Sequence, residues 1–353
     1  MSITVILAGA QLFTNGVEWL GCRLKLGEGA IGSVLAAVGT ALPETAIPLV
    51  ALLIHGGEAA DEIGIGAILG APFMLATLAI AVTGTAVLLF RHRRSPGARL
   101  VINRRLLMRD LGFFLLLYPV ALAAGLFPQS PWRLSFCAAL AVGYLYYLHL
   151  NLRETGGGDQ ALDDLRLPTI LERIAFTDWL RRAAALGTGD RPRLRGILLQ
   201  VAGALAMIVG GAYFFVEGVE TVAAAAGVSA LVLALIIAPI ATELPEKANS
   251  VIWVRQSKDT LALGNITGAM VFQSSFPTAA GITWTAWNLF ASDYQTRVAL
   301  FSAGMALLGA LTLLAFARRA GAAEERSSLS AWAAVANLAL YAAFVGFVLA
   351  GPH

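Results

Sequence analysis

The chain has 353 residues, of which 58% are hydrophobic and 13% charged, with a mean hydropathy of +0.74. A water-soluble globular protein of this size cannot present that balance to solvent, so the medium around the fold is lipid. The net charge of +3 would suit a nucleic-acid partner, but the basic residues sort by loop instead of forming a patch, which sets nucleic acid aside.

Crossing a hydrocarbon core of about 30 Å takes roughly 20 helical residues. In chain order the apolar stretches fall at about 2–24, 29–54, 63–90, 108–126, 131–151, 195–217, 227–254, 261–290, 296–317 and 329–350. They predict an all-α integral membrane protein with ten transmembrane helices. The first stretch has no basic start and carries Gln11, Asn15 and Glu18, so it is expected to be a retained helix and not a cleaved signal. Ten spans put the loops at about 24–28, 91–107, 152–194, 255–260 and 318–328 on one side. These loops and their flanks hold 22 of the 25 Lys and Arg residues, the opposite side has only Arg133 and Arg297, and Lys247 lies inside a span. The positive-inside rule then places the basic loops in the cytoplasm and both termini outside, in the plasma (inner) membrane of a bacterium. Cys22 and Cys137 fall in or beside apolar spans and are expected to pack without forming a disulfide. The histidines, His55, His92, His149 and His353, fall near span ends, in loops or at the terminus.

The sequence also repeats itself. GVE occurs at 16–18 and 218–220, and GTALPE at 39–44 answers ATELPE at 241–246, both at an offset of 202 residues. GAILGA at 66–71 answers GNITGA at 264–269 at an offset of 198. The division is an N-terminal repeat over 1–151, a cytoplasmic linker over 152–194 and a C-terminal repeat over 195–353. Five spans per half is an odd number, so the two repeats are inverted. Inverted repeats are typical of secondary transporters, whose substrate sites lie near the midplane at the repeat interface.

Glu44 and Glu246 lie midway along their spans, where a buried carboxylate is costly and marks function. Each follows a proline, Pro43 or Pro245, which removes a backbone donor and leaves the carbonyl of Gly39 or Ala241 unbonded, predicting a broken helix in each half. Thr40 and Thr242 lie four residues before the acids, on the same helical face. Carboxylate, hydroxyl and carbonyl are hard oxygen donors suited to Ca²⁺ and Na⁺, with Glu44 and Glu246 as the metal-binding pair. No Gly-rich phosphate loop is evident, so no ATP-driven step and no cofactor are expected. An intramembrane acid–base enzyme and a passive channel are the rival readings.

These paired motifs resemble the alpha-repeats of the cation/calcium exchanger superfamily, which approximate GTSLPE followed by GNxxGSNxxN. The resemblance implies ten helices in two inverted repeats and exchange of Ca²⁺ for Na⁺, or alternatively for H⁺, by alternating access. It makes Glu44 and Glu246 the paired cation-binding acids, with Thr40 and Thr242 beside them. The serine that the family places after threonine is Ala41 in one half and Glu243 in the other. In the first half Ala67, Ala71 and Leu75 stand where the family has polar ligands, whereas the second keeps Asn265 and has Gln273 at a position of Asn or Asp. Fewer neutral oxygens imply fewer sodium ions held at once. Glu243 is itself a candidate cation-binding residue, and with Lys247, four residues on, it is expected to pair within the span, either as a neutralised pair that fixes the helix or with Lys247 as an internal cation that competes with the substrate ion. Glu18 and Glu220 are candidate entrance carboxylates, and the acids of loop 55–62 a weak cation attractor. Within the linker, the apolar positions from Leu165 to Leu180 suit an amphipathic helix on the inner leaflet.

Overall fold

A computed structural model describes residues 1–23, 36–128, 131–154, 193–319 and 326–351. The amphipathic segment expected between Leu165 and Leu180 and the side chain of Cys22 lie outside the described residues. The helices are α1 (Ser2–Arg23), α2 (Ala36–Val50), α3 (Glu58–Met74), α4 (Ile80–Phe90), α5 (Arg104–Ala123), α6 (Arg133–Glu154) and α7 (Leu194–Ala226). There follow α8 (Ala230–Thr242), α9 (Leu244–Arg255), α10 (Asp259–Gln273), α11 (Phe276–Trp284), α12 (Tyr294–Arg319), α13 (Ala331–Val335) and α14 (Asn337–Leu349). Among the described residues, six helical segments are long and apolar enough to cross a membrane. The chain forms two compact units, Met1–Ala46 with Tyr146–Phe215 and Ile47–Leu145 with Val216–His353, so each draws on both halves of the sequence.

In the first unit, α1 buries Ile6, Ala10, Phe13 and Val17, one stripe at helical spacing. Glycine lets α7 come close. A methyl at Gly9 would stand 2.9 Å from Ile208, and one at Gly211 would stand 2.8 Å from Ile6. Gly9 and Gly211, like Ile6 and Ile208, are 202 residues apart, so the contact is reciprocal, as across a twofold axis. Buried Gln200 of α7 donates to the Leu12 carbonyl at 2.8 Å and to Asn15 Oδ1 at 2.9 Å. Asn15, one of the polar positions noted in the first span, thus faces a polar partner and not hydrocarbon.

In the second unit, α3 lies against α8. Gly66 and Gly70 of the GAILGA segment are four residues apart, on one face. A methyl at Gly70 would stand 2.9 Å from both the Leu235 carbonyl carbon and Pro239 Cγ, and one at Gly66 would stand 3.1 Å from the Leu235 nitrogen. Small residues at this spacing let helix backbones touch where no hydrophobic force separates protein from lipid. After α3 the helix widens into a π-turn at Leu75–Ala79 before continuing as α4. The turn's Ala76 carbonyl accepts from Asn337 Nδ2 of α14 at 2.9 Å, and Thr312 of α12 donates to Asn337 Oδ1 at 2.9 Å. The widened turn therefore has a dedicated donor from another helix.

Two short strands depart from an all-helical reading. β1 (Arg99–Asn103) pairs antiparallel with β2 (Arg326–Ser330), from Arg99 opposite Ser330 to Asn103 opposite Arg326. The ladder puts residues 99–103 and 326–330 at the same end of this unit. Beside it Arg94, fully buried at its side chain, meets both oxygens of Asp259 at 2.7 Å and donates to the Val254 carbonyl at 3.0 Å, while the Val101 N–H donates to Asp259 at 2.8 Å. At the opposite end His55 meets Glu220 at 3.0 Å, and Glu62 accepts from Ser229 and from the Leu231 N–H at the start of α8.

Helix boundaries differ from the sequence expectation in several places, the span over 329–350 among them, which is divided into α13 and α14 at Ala336. The span expected over 261–290 is two helices, α10 and α11, interrupted at Ser274 and Ser275, whose hydroxyls return to the Val271 carbonyl. The helix expected over 195–217 runs on to Ala226. Helix α2 continues through Pro43 without a break, because losing one donor leaves the flanking turns bonded. Asp293 caps α12, accepting from the Thr296 N–H and hydroxyl, each at 2.8 Å. Burial pushes its carboxyl up, but these bonds and those from the backbone of Asp293 and Gln295 outweigh it and hold the group below its ordinary 3.8.

Candidate cation site

The second-half motif is built on a real helix interruption. Helix α8 ends at Thr242, Glu243 forms the turn, and α9 starts at Leu244 with proline in its first turn, a position where the missing N–H is least missed. Thr242 is buried and donates its hydroxyl proton to the Ala238 carbonyl at 3.1 Å, which leaves the oxygen lone pairs for another donor or a cation. Glu243 is 1% exposed and Lys247 9%. Lys247 Nζ meets Glu243 Oε2 at 3.0 Å and reaches the Pro239 carbonyl at 3.5 Å. The pair expected from the i, i+4 spacing therefore forms, and it bridges the interruption.

Helix α10 runs antiparallel beside α9. Ser250 donates to the Ala262 carbonyl at 3.0 Å, and Lys247 and Asn265 each lie one turn from that bond, which puts them at one level. Asn265 Nδ2 and Gln273 Oε1 are buried without a hydrogen-bond partner. An unpaired buried amide group is costly; at Gln273 the unpartnered atom is an oxygen, a hard cation ligand, whereas at Asn265 it is the N–H₂ donor. Gln273 ends α10 where the chain turns, and Thr278 fixes its backbone by donating to its carbonyl at 2.8 Å.

In the other unit, Glu44 is 7% exposed on α2, beside buried Pro43 and Thr45. Gly39 and Thr40 lie on the same helix and Ala241, Pro245 and Glu246 on α8 and α9, but their side chains lie outside the described residues. The GAILGA glycines serve packing, holding α3 against the helix that leads into Thr242 and Glu243. The two candidate entrance acids differ: Glu18 is half-buried on α1, whereas Glu220 is engaged by His55. Cys137 is a free thiol against the Ala279 carbonyl and the Thr283 hydroxyl.

Sequence reading missed Asp110. It is 1% exposed on α5, and its Oδ2 lies 2.6 Å from the hydroxyl of Thr267, inside the GNITGA segment of α10. The only signal was an acid three residues into an apolar span, which resembles an ordinary interfacial charge. Asn337 on its apolar helix, and the Arg94–Asp259 pair, likewise had no local signal of their partners.

Helices long and apolar enough to cross a membrane, one of the shorter ones interrupted at a buried charged motif, define an integral membrane protein with a polar site inside its helices. The sodium/calcium exchanger protein family matches this chain in two stretches, residues 1–153 and 196–350. The chain belongs to that family, whose members are transporters and not enzymes. Among solved structures, the H⁺/Ca²⁺ exchanger CAX is similar with a TM-score of 0.66 at 16% identity, over 99% of this chain and 80% of that one. The sodium-calcium exchanger NCX_Mj, soaked with Na⁺ and Sr²⁺, gives 0.55 at 19% identity, over 100% and 96%. These likenesses bear on the fold. The protein named "Putative antiporter CaxA" from Alkalimonas amylolytica is 41% identical over 68 residues, and the match spans only 19% of this chain and 21% of that protein.

Proposed function

We propose that the chain is a secondary active antiporter that exchanges Ca²⁺ for a monovalent cation by alternating access, with Glu44 and Glu246 as the paired acids that bind Ca²⁺. The observation that carries this reading is the buried, charged helix interruption at Thr242–Glu243, inside one of two matching motifs. Thr40, Thr242, Asn265 and Gln273 and the carbonyls of Gly39 and Ala241 complete the oxygen set. Small inorganic cations are the substrates, and membrane lipid is the surrounding partner.

The same reading takes the chain as ten transmembrane helices in two inverted repeats, 1–151 and 195–353, joined by a cytoplasmic linker at 152–194. The reciprocal Gly9–Ile208 and Gly211–Ile6 contacts support the inversion, and the two family-matched stretches fall within these bounds. The β1–β2 ladder supports placing loops 91–107 and 318–328 on one side, and the His55–Glu220 and Glu62–Ser229 contacts support placing 55–62 with the ends of α7 and α8 on the other. The basic loops then face the cytoplasm of a bacterial cell and both termini face outside.

For the counter-ion, the family resemblance favours Na⁺. A second reading, H⁺, is favoured by the Glu243–Lys247 pair, which replaces a neutral oxygen with a filled charge site. Radiolabelled Ca²⁺ uptake into proteoliposomes, driven by a Na⁺ or a pH gradient, tests the function. Uptake that depends on a gradient and disappears in Glu44→Gln and in Glu246→Gln is expected. Uptake that is indifferent to both substitutions would overturn the assignment.

A further inference from the structure

Lys247 holds the ligands that a mobile cation would hold. Its ammonium contacts a carboxylate oxygen of Glu243 at 3.0 Å and the carbonyl of Pro239 at 3.5 Å, both hard oxygens, in a buried place. The Pro239 carbonyl belongs to the last turn of α8, where a helix presents its negative end. Carbonyls at the ends of interrupted helices are the groups with which transporters hold Na⁺. The pair is thus more than a helix-surface bridge, because Nζ reaches back across the interruption, eight residues along the chain, to another helix.

Resting on the antiporter reading above, we propose that the Lys247 ammonium is a tethered occupant of a monovalent-cation position at the α8–α9 interruption, so that this position takes no Na⁺. The charges around it fit. Of the helices packed against α9, α4 and α8 contain no charged residue and α10 contains only Asp259, which Arg94 holds. On α9 and its cap the charges are Glu243, Glu246, Lys247 and, at the far end, Arg255. Lys247 thus neutralises Glu243 at the interruption and occupies the place beside the Pro239 carbonyl. Removing the ammonium takes the positive charge away from the Glu243 carboxylate and from the Pro239 carbonyl, which also accepts from the Glu243 N–H at 3.1 Å.

The test is equilibrium binding of radiolabelled Na⁺ and, separately, radiolabelled Ca²⁺ to the purified full chain in detergent. It compares wild type with Lys247→Met, Lys247→Arg and the double variant Glu243→Ser/Lys247→Met, which puts the family's neutral serine back. Wild type and Lys247→Arg are expected to bind less Na⁺ at saturation than Lys247→Met and the double variant, which gain the ion of this position. The double variant carries no uncompensated charge, so it provides the answer if Lys247→Met does not fold. Saturable Na⁺ binding in wild type at the level of the double variant overturns the proposal. So does a saturation level no higher than that of wild type in every folded variant that lacks the ammonium. The Ca²⁺ arm reports on the antiporter reading by itself: wild type without Ca²⁺ binding defeats that reading, and the Na⁺ comparison still decides the role of Lys247.

Discussion

Gly70→Ala tests whether the approach of α3 to α8 is as close as it must be to support the site. The added methyl would lie 2.9 Å from the Leu235 carbonyl carbon and from Pro239 Cγ, whereas carbon atoms prefer about 3.5–4.0 Å. The helices must separate by roughly 0.6–1 Å, and such overpacking typically costs about 1–3 kcal/mol. The neighbour cannot give way by turning a side chain, because one obstacle is backbone and the other a proline ring. Gly304→Ala on α12 is the control, since a methyl there meets nothing within 4 Å and alanine favours the helix by about 1 kcal/mol. Thermal unfolding of the purified chain in detergent, followed by size exclusion, is expected to show Gly70→Ala melting several degrees lower and Gly304→Ala unchanged or higher. Helix α8 leads directly into Thr242 and Glu243, so Ca²⁺ uptake by Gly70→Ala should fall even at temperatures where it stays folded. Equal melting of the two variants would refute the packing argument.

Other expectations follow from contacts away from the cation ligands. Arg94→Leu strands Asp259 in the interior and should destabilise the fold by about 3–5 kcal/mol, while Arg94→Leu/Asp259→Leu should recover much of that loss; thermal unfolding of the pair of variants checks this. Asn337→Leu leaves the Ala76 carbonyl without its donor and should cost about 1–3 kcal/mol by the same assay. The Asp293 carboxyl is depressed in the fold, so its contribution is complete above its ordinary 3.8 and decays as the pH falls through the lower folded value. Asp293→Ala should therefore be less stable at neutral pH, by about 1 kcal/mol or less because the cap is exposed to screening. The difference from wild type should shrink on acidification, which melting curves across a pH series will show.

The fold was legible where one property repeats over many residues. Apolar length marked the helices, and the spacing of Glu243 and Lys247 marked a pair that then required only one helical turn to form. What the sequence hid was either local geometry or distant pairing. Pro43 and Pro245 read alike, yet α2 passes through Pro43 while α8 and α9 separate at Glu243, because one lost hydrogen bond permits either outcome and packing chooses. The strand at 99–103 is short and begins with a charge, so nothing in RLVIN announces a partner at 326–330. Asn337 reaches the Ala76 carbonyl from 261 residues away, a distance at which no periodicity carries information. Asp110 looked like a boundary residue until α10 brought Thr267 to it.

The Arg94–Asp259 pair and the ladder beside it also impose an order on synthesis. Arg94 emerges 165 residues before the carboxylate that receives it, and at about 5–20 residues per second that interval is on the order of 10–30 s. Through that time the charge and the open edge of β1 must remain in water at the membrane surface, since neither has a partner that hydrocarbon would tolerate. The helices that flank Arg94 and β1 therefore cannot settle to their final depth at this end until the chain has delivered α10, and β1 waits longer still for β2. Truncation before residue 259 should yield a product recognised by quality-control proteases, even though every helix it contains is apolar enough to insert.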